Sequence, residues 1–300
     1  EGHPDRSFLM MTFQNHYDTK TTSRNDSNNP INVGDVIIIV KKPQLTKPDP
    51  WDDMGGDGGH DMNGGNGDYG SGNGGGGSSG TPNTPNNTDP CAQMQAQKSN
   101  PDYNKNVKDL EGKTKEKQER GYAQGNGVFT YLDKATTKDD ANSLTFPNPE
   151  QSGNKDITGF MHTHIDNYSF QNDNGDDLER LGIKMFSPAD VSYFMDLLQS
   201  SNKQGKPLGD VYGMMITSTG SYQIRFAGTS SQIKLFSPDQ LKALKTSYSA
   251  AMSGSKDLET AFLKFISEKM GIEEVTLHKT PTIGKPTVIK LSPDKKTKSS

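Results

Sequence analysis

The chain encodes an α+β domain of about 200 residues behind a long unpacked leader, an expectation carried by three features. Two pairs of β-prone runs close around the turn residues Gly125-Asn126-Gly127 and Thr219-Gly220. Two amphipathic helical patterns, Pro238 to Met252 and Asp257 to Met270, finish the domain. Between the hairpins an apolar run ends in His162-Thr163-His164, and downstream Ser187-Pro188-Ala189-Asp190 opens a helical pattern. Only 29% of residues are hydrophobic and the mean hydropathy is -0.85, as expected if part of the chain is not packed.

In order, residues 1–42 are a polar segment with one strand. His3 and His16 lie far apart in it without a partnering pattern. The strand is the β-branched run Val36 to Val40, bounded by Gly34-Asp35 and Lys41-Lys42-Pro43. A lone strand needs a sheet, so it either joins the C-terminal domain or is the remnant of an upstream module, the preferred reading. Residues 43–90 read as a flexible linker. Glycine makes up nearly half of Trp51 to Gly80, and the few apolar groups there cannot offset the entropy of ordering the chain. The run GGDGGHDMNGGNGDYG does not hold the period or the apolar position of a calcium-binding β-helix repeat.

The folded domain is expected over 91–277. Residues 91–117 read as one or two short helices interrupted near Pro101. A hairpin follows, from Gly121 to Leu132, with Glu119 at its entrance. Asn142 to Phe146 is a further strand, Asp156 to Ile165 the histidine strand, and Pro188 to Ser200 a helix. Val211 to Ser218 and Tyr222 to Phe226 form the second hairpin, and helices are expected over 238–252 and 257–270. Residues 278–300, rich in Lys, Pro and Thr, read as a frayed tail.

A net charge of -4 gives no global electrostatic reason to expect nucleic acid as a partner. No stretch approaches the roughly 18 apolar residues of a membrane span. Cys91 is the sole cysteine, which excludes an intramolecular disulfide framework and a Cys-rich zinc site. Neither an initiator Met nor a signal-peptide pattern stands at Glu1, so a mature chain or a fragment is expected.

The chemistry gathers at the histidines. On a strand, residues i and i+2 face the same way, so His162 and His164 make a chelating pair. Ser187 sits at the N-cap of the next helix, Pro188 in its first turn and Asp190 three residues after the cap. If that turn folds back beside the strand, two imidazoles and a carboxylate converge and leave one position open to water, as a catalytic zinc requires. Ser187 and Asp190 also suit an ordinary capping box, and Ser-Pro recurs at Ser237-Pro238 and Ser292-Pro293 with no histidine pair before it.

The order Glu119, hairpin, His162-Thr163-His164, Ser187-Pro188-Ala189-Asp190, helix, hairpin resembles the JAB/MPN family, specifically its metal-binding JAMM branch. The stretch GFMHTH with FSPADV is similar to JAB-like domains at the end of exported or surface-associated bacterial proteins, which implies that localisation here. The resemblance covers residues 105 to 228. It implies a mixed sheet flanked by helices, a JAB/MPN-like (cytidine-deaminase-like) fold. It also implies that His162, His164 and Asp190 bind Zn2+, that Glu119 is general base on the water there, and that Ser187 stabilises the oxyanion. Glu111 and Glu116 are the alternative bases.

Two features depart from the family pattern. Ile165 replaces the Pro that commonly follows the second His, and the link to the Ser is long, running from Ile165 to Phe186. Its acids, Asp166, Asp173, Asp176, Asp177 and Glu179, suit either a lid that favours basic substrates or a solvated loop. The resulting expectation is a zinc-dependent peptidase or isopeptidase acting on a protein or peptide. The alternatives are a catalytically silent JAB-like binding or assembly module, and a metal-dependent amidase with a non-protein substrate.

Overall fold

A computed structural model describes residues 31–34, 37–41, 90–138, 141–281, 284–292 and 298–299. Residues 1–30 and the linker expected over 43–90, except Pro90, lie outside the described residues. The described chain is α+β, with a mixed sheet flanked by helices.

Its elements in order are β1 (Ile31–Gly34), β2 (Ile37–Lys41), α1 (Pro90–Lys98), α2 (Pro101–Glu111), β3 (Gly121–Gly125) and β4 (Val128–Leu132). Then come β5 (Ala135–Lys138), β6 (Ala141–Phe146), β7 (Ile157–Thr163), β8 (Tyr168–Gln171), β9 (Asp177–Gly182) and α3 (Pro188–Lys203). The chain ends with β10 (Tyr212–Thr217), β11 (Gly220–Phe226), α4 (Pro238–Ser253), α5 (Leu258–Glu268), β12 (Val275–Lys279), β13 (Thr287–Leu291) and β14 (Lys298–Ser299). Asn100 caps α2, its side chain accepting from the amides of Asp102 and Tyr103, and Pro101 starts that helix where a missing N–H costs nothing. The β3–β4 hairpin turns at Asn126 and Gly127, both with positive φ (50° and 78°), the conformation a two-residue turn between twisted strands demands.

Eight strands form the main sheet in the order β14-β13-β12-β11-β10-β7-β3-β4. Among the described residues only the β7–β10 pair is parallel, with Gly159 opposite Tyr212 and His162 opposite Met215. Alternation along the central strands sorts their side chains onto two faces. Phe160, Met215 and Ile224 join α3, α4 and α5 in the larger core, with Phe186, Phe194, Tyr248 and Phe262. On the other face, Met161, Tyr212, Met214 and Ile216 pack with Tyr103 and Leu110 of α2.

Two small sheets stand beside it, β1-β6-β5 and β2-β9-β8. They change two sequence expectations, and the end of the main sheet changes a third. The N-terminal run forms two strands, and instead of standing as the remnant of another module it pairs within this domain, β1 with β6 and β2 with β9. The link from Ile165 to Phe186 is a β-hairpin, β8–β9, rather than a loop. The end of the chain continues the main sheet through β12, β13 and β14 instead of fraying at His278, because Ile289 is buried in the larger core. None of the described helices is long and apolar enough to cross a membrane.

Candidate metal centre

His162 is the penultimate residue of β7, and His164 lies just beyond the strand's end. His164 still follows the sheet, its amide donating to the Ile216 carbonyl at 2.9 Å. The rings therefore project from one face, as strand geometry requires. An aromatic wall fixes His162: Phe160 stacks on it at 5.7 Å and Phe146 meets it edge-on at 5.7 Å, while Phe146 itself stacks on Tyr193 of α3 at 4.8 Å. His164 is oriented by a hydrogen bond between Nδ1 and the Ile183 carbonyl, 2.8 Å. A carbonyl only accepts, so Nδ1 carries a hydrogen, and in the neutral ring Nε2 is the nitrogen left to a ligand.

Asp190 arrives from the first turn of α3. Ser187 and Asp190 form the capping box: the Asp190 amide donates to Ser187 Oγ at 3.2 Å, and the Ser187 amide donates to Asp190 Oδ2 at 2.6 Å. Tyr248 of α4 donates to the Phe186 carbonyl at 2.7 Å and so anchors the chain entering this cap. The cap thus serves both readings of Ser187 and Asp190: it starts the helix and holds the carboxylate against the histidines.

The ligand atoms converge. His162 Nε2 and His164 Nε2 are 3.0 Å apart, His162 Nε2 to Asp190 Oδ1 is 3.2 Å, and His164 Nε2 to Asp190 Oδ2 is 3.5 Å. Ligands about 2.0–2.1 Å from a tetrahedral zinc stand about 3.3–3.4 Å from one another, and these spacings, taken to the two oxygens of Asp190, lie near that value. They are the one group of three or more His, Cys, Asp or Glu side chains among the described residues whose ligand atoms come together in this way. Burial alone would raise the Asp190 carboxyl, but His162 and His164 outweigh it and hold the carboxyl well below the usual carboxylate range. The side chain is an anion, and it faces two nitrogens able to share a cation with it.

Glu119 lies outside this group of three and is placed by register. Gly121 is opposite His162. One step on, the Thr163 amide donates to the Arg120 carbonyl at 2.9 Å and the Arg120 amide donates to Thr163 Oγ1 at 3.0 Å. Glu119 is therefore the residue before one tied to the segment between the two histidines. Of the three acids considered as base, only Glu119 is buried, at 1% exposure; Glu116 is taken by Arg120 at 2.8 Å in a surface pair. Gly121 permits the close approach here: a Cβ on it would lie 2.6 Å from Leu144 Cδ2 and 2.6 Å from the Met161 carbonyl.

Three contributors carried no sequence signal of their own. Ile183 acts through its carbonyl, Thr163 stands between the two histidines, and Phe146 is an ordinary strand aromatic. The acids of the link are partly used within it. Asp166 accepts from Lys184 at 2.7 Å, and Asp176 accepts from Asn172 at 3.3 Å.

His162, His164, Asp190, Glu119 and Ser187 are each only 1% exposed. An open groove of 510 Å³ elsewhere, lined by Leu235, Phe236, Leu244 and Met270 among others, includes none of them. The chain matches no protein-family model, no curated protein and no solved structure.

Proposed function

We infer that this chain is a zinc-dependent peptidase or isopeptidase of the JAB/MPN type, hydrolysing an amide bond. The observation that carries the reading is the convergence of His162, His164 and Asp190 within ligand distance, from a strand and a helix start separated by a long insertion. A site with three protein ligands supports catalysis rather than scaffolding, because structural zinc is almost always held by four. When bound, zinc supplies Lewis acidity that polarises a carbonyl and makes water acidic near neutral pH.

The chain's own residues do the rest. Glu119 takes the proton of the attacking water and delivers it to the leaving amine, a transfer amide cleavage needs because an amine anion leaves poorly. The Ser187 hydroxyl accepts from the Asp190 amide, and its hydrogen remains to be donated to the developing oxyanion. Thr163 holds the segment bearing Glu119 to the histidine strand.

Burial of the site favours a second reading, a silent binding or assembly module in which a held ion only fixes structure. Turnover decides between them. Purified protein, stripped of metal and reloaded with Zn2+, is assayed on linear peptides, isopeptide conjugates and cell-wall fragments. Zinc-dependent cleavage of either of the first two is the expected result. Cleavage of the third alone points to an amidase with a non-protein substrate, and no cleavage by a fully loaded protein leaves the silent module.

A further inference from the structure

The closed site and the two N-terminal strands call for one explanation. β1 lies along β6, Ile31 opposite Phe146 and Gly34 opposite Ser143. On that strand Phe146 touches the His162 ring and Leu144 packs onto Gly121, the residue opposite His162. β2 lies along β9, Ile37 opposite Gly182 and Lys41 opposite Leu178. The residue after β9, Ile183, holds the second histidine through its carbonyl. Each strand is thus paired to an edge that ends against one of the two histidines.

Residues 35 and 36 alone separate the two strands in sequence, so Gly34 and Ile37 are at most about 11 Å apart. One short stretch of chain therefore joins the two edges that flank the metal centre. β1 also contacts α3, and β2 contacts α4. Backbone pairing of this kind recognises main chain first, which is how an extended peptide adds to a sheet edge.

We propose that the strands Ile31–Gly34 and Ile37–Lys41 form an internal strap occupying the place of an extended peptide substrate, pairing with β6 on one side and β9 on the other and closing the site until it is peeled away. The part of this that names a substrate class rests on the hydrolase reading above; the part that names an occluding strap does not. The β8–β9 hairpin then serves as one wall of the substrate groove, and the strap competes with any peptide that enters.

The test uses the full-length chain. A labelled synthetic peptide with the sequence of residues 29–43 is titrated onto wild type and onto Ile38→Pro/Ile39→Pro, whose prolines remove ladder donors from β2. At least tenfold tighter binding by the proline variant is expected; equal binding to both, or none to the variant, overturns the proposal. A second pair guards against a variant that misfolds. Ile38→Cys/Leu181→Cys joins two register partners, in a Cys91→Ser background that removes the natural thiol. Oxidation is expected to slow removal of Zn2+ by a chelator at least tenfold, and reduction to restore it. Equal rates in the two forms, or failure of the cysteines to cross-link, overturns the strap. Neither readout needs turnover, so a chain that passes both yet cleaves no amide keeps the strap and loses the hydrolase, while one that cleaves amides and fails both does the reverse.

Discussion

The two faces of the main sheet each bury charge, and they settle it differently. On the α1 face Arg225 is 1% exposed and surrounded by neutral acceptors. Its guanidinium donates to the Gly209 carbonyl at 3.0 Å, to Gln97 Oε1 at 2.6 Å, to Gln223 Oε1 at 3.0 Å and to Gln93 Oε1 at 3.3 Å. It also lies over the Tyr212 ring at 5.2 Å. Burial lowers Arg225 to about 10, against weaker opposing effects of Tyr212, Tyr103 and Asp210. On the α3 face the roles are reversed: a carboxylate and two imidazole nitrogens converge, and no Lys or Arg belongs to the group. The first cluster is a cation the protein has satisfied from within, and it clamps α1 to the sheet. The second gathers a carboxylate and two imidazoles that could hold a metal ion. Buried polar networks are costly unless satisfied, and the two faces meet that cost in different ways.

The largest expected effect falls on the α3 face. His164→Ala removes a ligand and should lower zinc affinity by more than the 10–100-fold typical of a lost outer-shell partner, abolishing turnover with it. Metal analysis after dialysis reads this directly; retention of one zinc per chain would erase the contrast between the two faces. Glu119→Gln comes next. It should leave zinc content unchanged and lower turnover by about 10²–10⁴-fold, the range for a lost general base. Full turnover in that variant would mean that the base is another group.

On the α1 face, Arg225→Met should cost about 2–5 kcal/mol of stability, since it strands several buried acceptors, and it should leave zinc content as in wild type. Denaturant melts paired with metal analysis check both halves. A loss of zinc there would show the faces to be coupled. The smallest effect concerns the base of the β8–β9 hairpin. Burial would raise Asp166, but its bonds from Lys184 and Ser218 and the charges of Lys184 and Lys115 hold it below the usual carboxylate range. A carboxyl lowered on folding adds stability above its unfolded value, about 3.9, and loses that stability as pH falls through the lower folded value. Asp166→Asn should therefore flatten the acid limb of a stability–pH profile below about pH 4. An unchanged acid limb would remove Asp166 from the hairpin's support.

What was legible in the sequence follows the same division. The histidine strand, the capped helix at Ser187 and both hairpins rest on local rules of alternation, capping and turn residues, and the structure has them where those rules put them. The convergence of Asp190 on His162 and His164 was legible only as a condition, because it depends on how α3 packs on β7 after a long excursion. The link itself was misjudged. Its acids suit either a lid or a solvated loop, yet Arg180, 0% exposed, and the pairing of β9 with β2 make it an ordered sheet, and pairing partners distant in sequence leave no local trace. For the same reason β13 was hidden by the Lys and Pro around it. The Arg225 cluster was likewise unreadable, since Gln93 and Gln97 of α1 reach it only across the sheet.

The decisive measurement is anomalous diffraction at the zinc edge from crystals of zinc-loaded protein. The expected result is a single strong peak per chain, about 2.0–2.2 Å from His162 Nε2, His164 Nε2 and an Asp190 carboxylate oxygen, with no fourth protein ligand. A peak elsewhere, or none between those three side chains, would contradict the metal centre and everything built on it.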